Sequence, residues 1–160
     1  MFLDTFDLLL RLVAAAGFGA IIGLERESKA RPAGLRTHML TSLAAAVFTI
    51  MALELHAQVS QMPGSSETDP LRILEAVTAG VAFLAAGAII QSRGRVHGIT
   101  TGAGMWLAGA IGLACGAGNF AAAAIALVMA ILILAILRPL EAWLWPEQEG
   151  QSQSRRDGEP

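Results

Sequence analysis

Charge is what this sequence has least of. Only 15% of its 160 residues are Asp, Glu, Lys or Arg, against about 25% in an ordinary water-soluble domain. Hydrophobic residues make up 54%, and the mean hydropathy is +0.58. A chain this short cannot hide that apolar excess inside one water-facing domain, so the bilayer is the solvent to assume. Cysteine is nearly absent. The single Cys115 lies in an Ala/Gly-rich apolar stretch, which excludes an intrachain disulfide and reads as a small buried hydrophobe. The formal net charge of −2 comes with no basic stripe interleaved with aromatics, which excludes a nucleic-acid partner. His38, His56 and His97 lie on separate segments, and nothing approaches the roughly four convergent ligands of a metal site. No Ser/His/Asp set or nucleophile with a base can be assembled. The expectation is a non-enzymatic protein with no catalytic residues, no metal and no cofactor.

A basic leader is missing as well. Ala14-Ala15-Ala16 resembles a signal-peptide cleavage site, but Asp4 and Asp7 precede it and the apolar pattern runs on past it, so the segment reads as a first spanning helix. The clearest span is Phe120–Leu137, an unbroken apolar run of 18 residues stopped by Arg138 and Pro139 and followed by the interfacial Trp143 and Trp145. Phe6–Leu24, Thr37–Leu55, Leu71–Ile90 and Ile99–Ala117 supply four more. The fold class expected is an all-α polytopic membrane bundle of five helices over residues 1–145. A polar tail at 146–160 is expected to be disordered. The loop at 57–70, with Pro63-Gly64-Ser65-Ser66, reads as a solvated connection.

Orientation follows from the basic residues. Arg26, Lys29, Arg31, Arg36, Arg93, Arg95, Arg138, Arg155 and Arg156 all follow the first, third and fifth spans, whereas Arg72 stands alone between the second and third. Basic loops stay in the cytoplasm, which places the N-terminus outside and the C-terminus inside. A four-span alternative makes the Gly-rich fourth segment re-entrant and puts Arg138 outside.

Glycine is plentiful, with 17 residues mostly inside spans. Helices in lipid associate where small residues let backbones meet, so Gly19 with Gly23, Gly98 with Gly102, and Gly112 with Gly116 are read as packing surface. Such stripes suit a homo-oligomer, a dimer first. Gly19-Ala20-Ile21-Ile22 and Gly87-Ala88-Ile89-Ile90 end the first and third spans, and Gly34-Leu35-Arg36-Thr37 and Gly98-Ile99-Thr100-Thr101 open the second and fourth. This is either a parallel repeat of two helical hairpins or coincidence in an Ala/Gly/Ile-rich chain.

The unusual charge gathers at the cytoplasmic ends of the first two spans. Glu25, Arg26 and Glu27 close the first, and Arg36, Thr37 and His38 open the second. Thr37 and Thr101 are expected to cap their helices. Arg36, a cation at a helix N-terminus, is expected to pair with Glu25 or Glu27. Two readings stand side by side. In one, these residues with His97, Thr100 and Thr101 close the end of a bundle; in the other, they line a pocket for an anionic group, or for a cation at the glutamates.

The run Gly23-Leu24-Glu25-Arg26-Glu27, then Ala33-Gly34-Leu35-Arg36-Thr37-His38, resembles the signature of the MgtC/SapB membrane-protein family. Gly87-Ala88-Ile89-Ile90, His97-Gly98-Ile99-Thr100-Thr101 and Trp106 follow in the family's order, and the resemblance covers about residues 6–138. It implies a multi-pass protein of the bacterial cytoplasmic membrane with a five-helix hydrophobic domain. Its implied physiology is growth under magnesium limitation, intracellular survival, effects on ATP synthase and membrane potential, or acid resistance. Long members add a soluble C-terminal domain; this chain, ending soon after Trp145, is similar to the short SapB-like ones. The functional expectation is stress adaptation or ion homeostasis through the polar cluster or through other membrane proteins. The rival is a small-ion transporter or channel built as a homo-oligomer, and an intramembrane enzyme comes third.

Overall fold

A computed structural model describes residues 3–29, 31–61, 71–92 and 95–144. They form α1 (Thr5–Ser28), α2 (Leu35–Val59), α3 (Leu71–Gly87), β1 (Ile90–Ser92), β2 (Arg95–His97), α4 (Ile99–Gly116) and α5 (Phe120–Leu144). The helices α1, α2 and α4, and the stretch Phe120–Leu137 of α5, are each long and apolar enough to cross a bilayer. The third expected span is shorter than the sequence implied. In α3 the apolar stretch Leu74–Gly87 is followed by a turn, and Ile90, taken as the end of a span, instead opens a strand. β1 and β2 pair antiparallel, Ile90 opposite His97, and are the one departure from helix among the described elements. The expected tail at 146–160, Trp145 and most of the 57–70 loop lie outside the described residues.

Helix directions follow from which residues meet. Ser42 Oγ donates to the carbonyl of Ala15 at 2.7 Å, while Gly23 lies against Leu35, so α1 and α2 form an antiparallel hairpin. On α4, Gly112 meets Ser42 and Gly116 meets Ala46, so α2 and α4 run parallel. Gly102 against Ala85 and Gly109 against Val81 set α3 antiparallel to α4. The α1/α2 and α3/α4 connections therefore lie at the same end of the bundle. They close differently: the described residues of the first carry no strand, whereas the second carries the β-hairpin and then Gly98 in a left-handed conformation with φ 87°. There a Cβ would run into the Ala88 carbonyl.

Bulk points outward. Ala15, Ile22, Ala46, Ala108, Ile111, Cys115 and Ala123 make the main core, whereas Phe6, Phe83 (80% exposed), Ile125 and Leu40 are exposed. This arrangement fits a lipid solvent, in which large apolar side chains gain nothing by turning inward and close backbone contact holds helices together. Several glycines lie directly against neighbouring helices. A Cβ would come within 2.6 Å of the His38 carbonyl oxygen at Gly19, 2.6 Å of Leu35 Cα at Gly23, 2.8 Å of the Ala85 oxygen at Gly102 and 2.6 Å of the Ala46 oxygen at Gly116. At Gly112 it would strike the Ser42 carbonyl.

Candidate functional site

The inward stripe of α1 is Ala15, Gly19, Ile22, Arg26, at spacings of four, three and four, which keeps one helix face toward the core. Arg26 is therefore carried inward with the apolar residues before it. Its side chain is 5% exposed, and Nη2 donates to Thr101 Oγ1 on α4 at 2.9 Å. Thr101, itself buried, thus receives the guanidinium and does not cap α4, as the sequence had suggested. The bond also ties the last turn of α1 to the first turn of α4.

The neighbouring glutamates have separate tasks. Glu25 Oε1 accepts from Lys29 Nζ one turn on, while Oε2 is buried with no hydrogen-bond partner among the described residues. Glu27 reaches over the turn to accept the backbone N–H of Leu35 at 2.7 Å. An acceptor with negative charge suits that position, because the first amides of a helix have no partner within it. It also replaces the expected Thr37 cap: no N-cap side chain bonds at α2, where Gly34 holds that place, and the Thr37 carbonyl accepts from Thr41 Oγ1. Arg36, expected to pair with Glu25 or Glu27, is exposed, and among the described residues neither glutamate bonds to it.

His38 is fully buried behind this layer. Its Nδ1–H donates to the Gly34 carbonyl at 2.8 Å, which leaves Nε2 as a buried acceptor with no partner among the described residues, facing Gly104. Gly104 makes room for the ring, and Gly19 lets the His38 backbone approach α1.

A cleft of about 590 Å³ opens beside Arg26. Glu25, Arg26, Lys29 and Arg31 line one side; His97, Thr100 and Thr101 line the hairpin and the start of α4; Ile133, Leu134 and Leu137 of α5 form an apolar wall. Of the residues singled out from sequence, the cleft gathers Glu25, Arg26, His97, Thr100 and Thr101. Arg36 and Thr37 stand outside it, Glu27 caps α2, and His38 lies behind. Lys29, Arg31 and the α5 wall were not singled out as site residues. The i, i+4 spacing of Glu25 and Lys29 was the readable signal for the first.

At the opposite end, Arg11 Nη1 donates to the Gly116 carbonyl at 2.8 Å and Nε to Asp7 at 3.0 Å. A cation thus closes the C-terminus of α4, where orphan carbonyls concentrate partial negative charge. Asn119 Oδ1 accepts from the Ala122 amide and caps α5.

Apolar helices around a core of small residues, with a buried arginine at one mouth, define a polytopic helical membrane protein. The family model described as MgtC family matches residues 12–143, and the chain belongs to that family. It is 36% identical over 129 residues to Protein MgtC of Brucella abortus, covering 81% of this chain and 50% of that one. It is 35% identical over 136 residues to an Escherichia coli protein named "Putative magnesium transporter YhiD", covering 85% and 63%. An uncharacterized protein of Haemophilus influenzae is 33% identical over 147 residues, covering 91% and 60%. The chain thus spans between 50% and 63% of the length of these relatives. No solved structure gives a significant match.

Proposed function

We propose that this is a non-enzymatic protein of the bacterial inner membrane that serves magnesium-linked ion homeostasis through the Arg26 cleft. The observation that carries the reading is the buried Arg26–Thr101 hydrogen bond at the floor of an open, charged cleft. Ionisable groups within helical membrane bundles are costly to bury and tend to mark sites, and a purely structural lock would not need a cavity beside it. The link to magnesium comes from the name of the Escherichia coli relative. In this reading the bundle crosses five times, with the N-terminus outside. The α1/α2 and α3/α4 connections, which lie together with Lys29 and Arg31 in the first and Arg26 and Arg36 on the helix turns flanking it, face the cytoplasm.

The test is growth under magnesium limitation with Arg26→Lys, which keeps the charge but loses the planar guanidinium fork. We expect poor growth at normal expression and normal melting in detergent. Growth like the parent's would reject the cleft as the working site. The transporter reading draws on the same relative's name. Ion flux into proteoliposomes would favour it, whereas the interior is lined by alanine, glycine and isoleucine with few polar groups to accompany an ion.

A further inference from the structure

We infer that the cleft between α1, α4 and α5 is a binding site for a phosphate group. The inference deepens the reading above, because it names the ligand class of the same cleft. Three observations converge on it.

The first is the balance of the lining. Among the described residues that line the cleft, Arg26, Lys29 and Arg31 are cations and Glu25 is the one carboxylate. Lys29 already engages Glu25 Oε1. A divalent metal such as magnesium takes six oxygen ligands and usually one or two carboxylates; this lining is built the other way round. A guanidinium offers paired N–H donors that match phosphate oxygens, and Thr101 holds that of Arg26 in place from one side.

The second is the contrast between two helix starts at the same end. The first amide of α2 is answered by the Glu27 carboxylate. At α4, the first intrahelical bond runs from the Gly102 amide to the Gly98 carbonyl, so the amides of Ile99, Thr100 and Thr101 have no acceptor within the helix. Gly98 has no side chain to cap them, and all three residues line the cleft. An anionic oxygen seated there would do for α4 what Glu27 does for α2.

The third is the opposite wall. Ile133, Leu134 and Leu137 of α5, with Val96 and Ile99, are apolar and face the same space. Its volume of about 590 Å³ falls within the roughly 300–1,000 Å³ of small-molecule sites. It holds a phosphate with room to spare, and the apolar wall suits the glycerol and first acyl carbons of a lipid. Free phosphate shares the polar half of this chemistry alone.

The experiment uses the purified full chain in detergent and reads melting temperature and native mass spectra. Phosphatidic acid and inorganic phosphate are titrated separately, with phosphatidylcholine as the reference lipid. We expect saturable binding of phosphatidic acid above phosphatidylcholine. R31E should weaken it roughly tenfold or more, the scale of one charge-assisted hydrogen bond. R72E, on α3 and outside the cleft lining, should leave it unchanged. R26K should weaken it too, and its melting curve without ligand shows whether the fold is intact. Binding of phosphatidic acid alone assigns the site to a lipid headgroup, and binding of inorganic phosphate assigns it to a soluble ligand. If neither binds the parent, or R31E and R72E weaken binding equally, the phosphate site is refuted. Growth under magnesium limitation is read in parallel. Phosphate binding lost in R31E with normal growth refutes the physiological reading and keeps the site; failed growth of R26K without phosphate binding to the parent refutes the ligand and keeps the reading.

Discussion

Glu27 Oε2 accepts the backbone N–H of Leu35 at 2.7 Å, so the last turn of one helix caps the first turn of the next. Glycine at position 34 suits this contact: a Cβ there would meet the Glu27 carboxylate, which would have to move aside and give up the cap. Position 34 and position 27 are thus one device for closing the α1/α2 hairpin.

Removing that cap should cost about 0.5–2 kcal/mol, the range for losing a side-chain acceptor at a helix start. Glu27→Ala should lower the melting temperature in detergent, and Glu27→Gln, which keeps an acceptor, should lower it less. Equal melting of all three proteins would show that the carboxylate contributes nothing to the hairpin.

The bond between Arg26 and Thr101 gives a sharper comparison. Thr101→Val removes the acceptor and should destabilise by about 1–3 kcal/mol, whereas Thr101→Ser keeps a hydroxyl and should stay near the parent. Combined with Arg26→Met, the Val change should cost at least ~0.5 kcal/mol less than it does alone. Simple additivity in that double-mutant cycle would deny the coupling.

Glycine substitutions should divide by location. At Gly112 a methyl would strike the Ser42 carbonyl, so Gly112→Ala should destabilise by about 1–3 kcal/mol, as overpacking does. A methyl at Gly80 on α3 would meet nothing within 4 Å, so Gly80→Ala should be neutral or stabilising by up to about 1 kcal/mol through helix propensity. Denaturation in a graded detergent series measures both, and the opposite order would contradict the packing described for α2 and α4.

Orientation can be read with thiols, because the lone Cys115 is buried and should be silent to labelling. Arg31 and Ser60 are exposed and sit at the two ends of the hairpin formed by α1 and α2. An impermeant maleimide added to whole cells should label Ser60→Cys and spare Arg31→Cys. The reverse pattern would overturn the proposed topology.

Hydropathy was enough to place the four helices long and apolar enough to cross a bilayer, whereas the expected third span stops short at Gly87. The paired strands Ile90–Ser92 and Arg95–His97 were not legible, because three-residue strands carry no periodicity and the preceding apolar run masks the change. The polar cluster was legible as a cluster and misleading in its pairing. Arg36 stands out in the sequence, whereas Arg26 is the arginine that turns inward. Each residue advances about 100° around a helix, so three consecutive charges at 25–27 point in three directions, and helix phase alone selects among them. That phase was present in Ala15, Gly19 and Ile22. The caps were misassigned for a different reason: Thr37 and Thr101 have the right chemistry, but each lies three residues past the glycine that starts its helix.

The outward placement of bulk has a consequence for entropy. Alanine and glycine have no rotamers to lose, so ordering a core of Ala15, Ala46, Ala108, Ala123 and the facing glycines freezes almost no side-chain freedom. Phe6, Phe83 and Ile125, which do have rotamers, keep them against fluid acyl chains. Helix association in lipid lacks the hydrophobic drive available in water, and an interior that asks for so little ordering lets weak backbone contacts suffice.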